Sequence, residues 1–148
     1  MISQLRITVP GQPRPQGSMQ AMLSRSTGQP LLRYSSTTVE HRNHVVETIA
    51  RQWAQREALT GAVAVDATFA FARPKSHYGT GRNAGIVKDS SPVWHTGTPD
   101  TDKLMRLIGD ALHIAGVLKD DSQITLWRGN KKWTTAQSCT TITVLTIT

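Results

Sequence analysis

The chain has 148 residues, of which 38% are hydrophobic and 18% charged, with a formal net charge of +7 and one cysteine. A chain of this length suits a single domain spanning residues 1–148, soluble and globular, and no stretch approaches the ~20 apolar residues of a membrane span. One cysteine excludes an internal disulfide, and the N-terminus lacks the basic region and apolar run of a signal peptide, so a cytoplasmic protein is expected.

The charge is unevenly placed. Residues 100–121 hold five acids (Asp100, Asp102, Asp110, Asp120, Asp121) against three bases, a net of −2, while the rest of the chain holds 14 bases against five acids, a net of +9. A basic body with one acidic island suggests a polyanionic ligand and a place to hold a cation against it.

In chain order, residues 5–9 (Leu-Arg-Ile-Thr-Val) alternate and are rich in β-branched side chains, which predicts a first strand, ended by Pro10 and Gly11. A long loop to about Tyr34 follows, carrying Arg14, Arg25 and Arg33, and reads as a phosphate-contacting arm or a connector. Thr37 and Glu40 match a capping box and predict a helix to about Glu57, with Val39, Val46, Ile49, Ala50 and Trp53 as its buried stripe. His41 and His44 on that helix have no third ligand nearby and read as part of a solvated basic face.

Residues 62–73 alternate as a strand with Val63, Val65, Ala67, Phe69 and Phe71 on its buried face. The insertion 74–99 interleaves Lys75, His77, Arg82 and Lys88 with Tyr78, Trp94 and His95, which suits phosphate pairing and base stacking in a nucleic-acid contact. From 103 to 115, Leu104, Leu107, Ile108, Ala111, Leu112 and Ala115 mark an amphipathic helix that Gly116 stops. Residues 123–127 read as a strand that 128–133 continue or turn, and 139–148 as the last strand, with Cys139 a buried structural thiol. The order β-α-β-α-β-β indicates an α+β domain, a mixed sheet flanked by helices.

Asp100 and Asp102 stand where an extended segment becomes a helix, and Asp120 and Asp121 follow after that helix ends. Side chains two apart on an extended segment share a side, and a cluster of acids needs a cation to offset its repulsion. Magnesium takes one or two carboxylates per ion plus waters and substrate phosphate. The helix between the pairs is about 20 Å long, so the chain must double back, with a strand alongside the helix start, for the acids to meet. Asp102, Arg106 and Asp110 lie on the polar side of the helix. Arg106 there is either a member of an i, i+4 ion-pair ladder or a contact to phosphate.

Pro99-Asp100-x-Asp102-x-Leu104-x-Arg106, then Asp110-Ala111-Leu112, then Val117-x-Lys119-Asp120-Asp121-x-Gln123-Ile124, resembles the signature of the RusA family of Holliday-junction resolvases. The opening Ile7-Thr8-Val9-Pro10-Gly11-x-Pro13 is similar to that family's first strand and turn, and Lys131 or Lys132 matches a lysine on the penultimate strand. The resemblance covers nearly the whole chain. It implies a homodimeric, magnesium-dependent (or manganese-dependent) endonuclease that cuts four-way DNA junctions symmetrically in recombination and repair, of phage or prophage origin in a bacterial host. By position it makes Asp100, Asp102 and Asp121 the metal-binding acids, with Asp120 beside them. The family's Asn after the second Asp is Lys103 here, and its catalytic Lys is Arg106, which can form a bidentate fork but cannot donate a proton. Arg14, Lys75, Arg82, Lys88, Lys103, Lys131 and Lys132 are the candidate DNA contacts. The competing readings are a non-catalytic DNA-binding protein and a nuclease for forks and flaps.

Overall fold

The structure is a computed structural model that describes residues 2–17 and 19–148. Its elements are β1 (Ile2–Pro10), β2 (Gln20–Leu23), β3 (Pro30–Arg33), α1 (Ser36–Trp53), β4 (Val63–Ala72), α2 (Thr101–Ile114), β5 (Ile124–Thr134) and β6 (Cys139–Thr146). The main sheet has the order β1-β6-β4-β5, with β4 and β5 parallel and the other pairs antiparallel. This is the α+β domain with a mixed sheet that the sequence indicates.

Alternation decides which face each strand buries. Leu5, Val144 and Val65 form one cross-strand row, and Ile7, Ile142 and Ala67 the next, all buried. They join Val45, Ile49 and Trp53 of α1 and Leu104, Leu107, Ile108, Ala111 and Leu112 of α2 in one core. Fully burying each of the large residues contributes about 1.5–3 kcal/mol before entropy is counted. Both helices therefore lie on one face of the sheet. The other face is polar: its rows read Arg6–Thr143–Asp66–Arg128 and Thr8–Thr141–Thr68–Asn130. There Arg128 grips Asp66 through two hydrogen bonds of 2.6 and 2.9 Å.

Several expectations need correction. The segment before Tyr34 is not loop throughout: β2 and β3 pair as a hairpin whose residues are all exposed. Its four-residue strands fall below the length at which alternation is readable. The cap of α1 is Ser35, which accepts from the Thr38 N–H at 3.2 Å, and the helix ends at Trp53, where Ala54 and Gln55 turn left-handed. Of the stripe, Ile49 and Trp53 are buried, Val45 joins them, and Val39, Val46 and Ala50 are only partly covered. Cys139 is half-buried, at the first position of β6.

His41 is another. It is half-buried, and burial first, then the charges of His44 and Arg14, lower its pKa to about 4. It is neutral, not part of a basic face. A histidine held neutral in the fold and free to protonate near pH 6.5 when unfolded contributes stability that is complete above that pH and lost as pH falls toward 4. The substitution His41→Gln is expected to flatten this acid-side loss, measured as the urea midpoint between pH 7 and 4.5, with no gain above pH 7.

Candidate active site

The segment that leads into α2 is built from the sheet. Lys131 of β5 turns its ammonium inward and donates to the carbonyls of Gly97 and of Pro99, the latter at 2.8 Å. The backbone adds His95 N–H to Lys131 O and Trp133 N–H to Val93 O, both 3.0 Å. Behind this segment His95 stacks on Trp133 with ring centroids 4.2 Å apart, and Phe71 and His77 close the cluster. Burial in the stack, and then the charge of Lys131, hold the His95 pKa below the ordinary histidine value. His95 is therefore structural, and only Trp94 of the predicted stacking residues stands out, at 58% exposure.

Asp100 is the N-cap of α2 in extended geometry, yet its carboxylate caps nothing. It lies 3.7 Å from the Lys103 ammonium, with both groups exposed. Asp102 is in the first turn of the helix, exposed and without a hydrogen bond among the described residues. The two acids thus straddle a helix start instead of sharing one extended segment. A turn from β1 closes over them: Gln16 N–H donates to Lys103 O at 3.1 Å, while its side-chain amide donates to Asp110 at 2.7 Å and to the Tyr34 hydroxyl at 3.1 Å. The result is an open cleft of about 360 Å³ lined by Gln12, Pro13, Arg14, Pro15, Thr98, Pro99, Asp100 and Lys103. Arg14 and Lys103, two of the expected DNA contacts, are thereby placed beside Asp100. Gln16, buried at the hub of this closure, carries no motif that would mark it in the sequence.

Arg106 is exposed and forms no ion pair among the described residues, so the ladder Asp102–Arg106–Asp110 is not present. Asp110 is held by Gln16 instead. Lys75, Arg82 and Lys88 are exposed on the 74–99 insertion, which folds on itself through bonds such as Lys88 N–H to His77 O, 2.9 Å. Lys132 is exposed on β5 opposite Trp94.

The two acidic pairs do not meet within the chain. Among the described residues, no three His, Cys, Asp or Glu side chains group closely enough to hold a metal ion. Gly116, at φ 82°, turns the chain out of α2, Leu118 pairs beside Leu59, and β5 starts level with Val63. A strand does run back along the helix, as expected. What reaches the helix start is Lys131, because Asp120 and Asp121 stand before β5 and stay at the far end, about 20 Å away. There Asp120 accepts from the Ser122 N–H at 2.8 Å and forms a capping box with Gln123, and Ser122 holds its carboxyl below the usual range. Asp120 is thus committed to its turn, while among the described residues no N–H engages the exposed Asp121 carboxylate in the same way.

The family model for endodeoxyribonuclease RusA matches residues 10–145. The chain belongs to the RusA family of endodeoxyribonucleases. The search of curated proteins found no match. RusA enzymes act on Holliday junctions, and membership makes this chain an endodeoxyribonuclease of that kind. Among the described residues no helix is long and apolar enough to cross a membrane.

The Lys131 contacts yield a test. If the ammonium sets the position of the Asp100 backbone, Lys131→Met shifts the acids, and a displacement near 1 Å costs about 10²-fold in rate. Junction cleavage is expected to fall by that order while junction binding in Ca²⁺ changes little, and Lys131→Arg is expected to recover part of the rate. A mutant that loses binding and cleavage in parallel would make Lys131 a DNA contact instead.

Proposed function

We propose that this RusA-family chain is a divalent-metal-dependent endonuclease that resolves four-way DNA junctions as a homodimer, in recombination and repair. Each of its two centres combines Asp100 and Asp102 of one copy with Asp121 of the other. The observation that supports this reading is the division of uncommitted carboxylates between the two ends of α2, in a chain whose family signature treats them as one set. Magnesium or manganese suits the exposed pair at Asp100 and Asp102, since such ions use few carboxylates and fill their remaining positions with water and phosphate oxygens. Bound there, the ion supplies charge neutralisation and an activated water.

The chain's own groups do the rest. Asp100 lines a cleft whose other charges are cationic, and Asp102 stands exposed in the first turn of the helix beside it. Arg14 and Lys103 flank it and hold strand phosphates. Lys103, 3.7 Å from Asp100, screens the acid's charge within the cleft. Arg106, one turn along the helix from Asp102 and without an ion pair among the described residues, offers a two-pronged donor for charge that develops on the phosphate. Exposed Lys75, Arg82, Lys88 and Lys132 carry the outer DNA contacts, so affinity falls steeply with salt.

The deciding assay is nicking of a synthetic four-way junction, beside fork, flap and linear duplex substrates, with Mg²⁺ and with EDTA. Cleavage confined to the junction and to Mg²⁺ is expected; metal-independent cleavage, or none, overturns the reading. Mixing two inactive variants, Asp100→Asn and Asp121→Asn, is expected to restore nicking, since half the re-formed dimers then hold one intact centre. A mixture as dead as its components would place all three acids in one chain.

Arg106→Ala is expected to cut more slowly by about 10²–10³-fold, the usual cost of a lost transition-state donor, with an unchanged thermal midpoint. Arg106→Lys is expected to keep or raise activity. Wild-type rates in Arg106→Ala would reduce the residue to a surface charge.

A further inference from the structure

The hairpin of β2 and β3 stands apart from the main sheet as a two-stranded sheet of its own, and all of its residues are exposed. Its register sorts them by face, because residues opposite each other in an antiparallel pair share a side. Gln20 with Arg33 and Met22 with Leu31 make one face; Ala21 with Leu32 and Leu23 with Pro30 make the other. The first face turns toward α1, across a cleft of about 650 Å³ that Gln20, Met22 and Arg33 line together with Val39 and Glu40. The second is apolar throughout and turns away from the body, with Leu23 72% and Leu32 68% exposed.

The hairpin is held in shape at both ends. At its tip the Ser24 N–H donates to Gln29 O and the Gly28 N–H to Ser24 O, both 2.8 Å, with Gly28 left-handed at φ 67°. At its foot the Tyr34 hydroxyl accepts from the Gln16 amide at 3.1 Å, and the Arg42 guanidinium lies over the Tyr34 ring. Gln16 also binds the Lys103 carbonyl and Asp110, so the hairpin is mounted on the residue that closes the cleft at Asp100. Four strand residues carry its tip about 13 Å beyond that mount.

An isolated two-stranded hairpin is marginal in water, and an apolar face of this kind marks a binding surface. Charge and size decide for what. Residues 19–35 contain Arg25 and Arg33 and no acid, on a chain of net charge +7, so the same arm of a second copy meets like charge. A face of two four-residue strands is also far smaller than the roughly 800 Å² per partner of a stable protein interface. Leucine and proline on a basic arm suit nucleic acid instead, where apolar side chains wedge between base steps and arginine holds the neighbouring phosphates.

We infer that the face of Ala21, Leu23, Pro30 and Leu32 is a wedge that covers bases opened at the branch point of a DNA junction, with Arg25 at the tip on a flanking phosphate. This rests on the junction reading above and assigns the element that tells a branch from a linear duplex. In a linear duplex every base pair is stacked on both sides, and a wedge must break that stacking. Pairs at a branch point lose part of it when the arms open, so the same insertion costs less there. Covering a leucine corresponds to about tenfold or more in affinity, which the junction gains and the duplex does not. The mount on Gln16 holds the wedge at a fixed distance from Asp100, and so places the cut relative to the branch.

The test uses a four-way junction with a fluorescent base analogue beside the branch point, one whose emission rises when it unstacks, bound in Ca²⁺. The double variant Leu23→Ser/Leu32→Ser is checked for an unchanged circular-dichroism melt; Leu23→Ser alone stands in if the double variant melts early. Wild type is expected to brighten the analogue. The variant is expected to leave it dim, to bind linear duplex as wild type does, and to bind the junction about tenfold more weakly. A variant that brightens the analogue and keeps its junction preference overturns the wedge, as does one that weakens on duplex and junction equally. A variant that sediments as a smaller assembly than wild type also overturns it, and assigns the face to a second copy. Wild-type cleavage in Mg²⁺ is measured alongside. Cleavage without brightening removes the wedge and leaves the enzymatic reading; brightening by wild type alone, without cleavage, does the reverse.

Discussion

A helix is a rigid spacer, and α2 governs most of what this chain does. Its fourteen residues bury one apolar face in the core, which fixes its place over the sheet and so the separation of its ends. Asp100 and Asp102 occupy one end and Asp121 lies beyond the other. No rotamer change closes a gap of about 20 Å. The parallel pairing of β4 with β5 imposes the same separation from the other side, because it starts β5 at the helix's C-terminal end.

Within that frame the acids are sorted by their hydrogen bonds. Asp120 closes a capping box and Asp110 receives the buried Gln16 amide, so both serve the fold. Asp100 sits at an N-cap without acting as one, an unusual state for a residue in the favoured capping position. Among the described residues its one ion-pair partner is a solvent-exposed ammonium, and exposed pairs of that kind contribute little. A carboxylate left so weakly engaged at a helix start, where the backbone dipole favours negative charge, is available to a ligand. The cations are sorted too: Lys131 is drawn inward to two carbonyls, while Arg106 is exposed and forms no ion pair among the described residues.

Much of this was legible in the sequence. The strands β1, β4 and β6 and the buried stripe of α2 show as local periodicity, which depends only on the residue's own element. The family signature is local as well, carried by Pro99-Asp100-x-Asp102 and Lys119-Asp120-Asp121. The hairpin of β2 and β3 was missed because its strands are short and exposed, with no buried face to impose a pattern. His41 was misread because its neutrality comes from burial and from Arg14, which is distant in the chain. The placement of the acids is the deepest case. Residue spacing shows that Asp121 follows the helix, but which residue of β5 returns to the helix start depends on strand order and register. Those are set by long-range pairing of β4 and β5, and that pairing brings Lys131, not Asp121, to the Asp100 end.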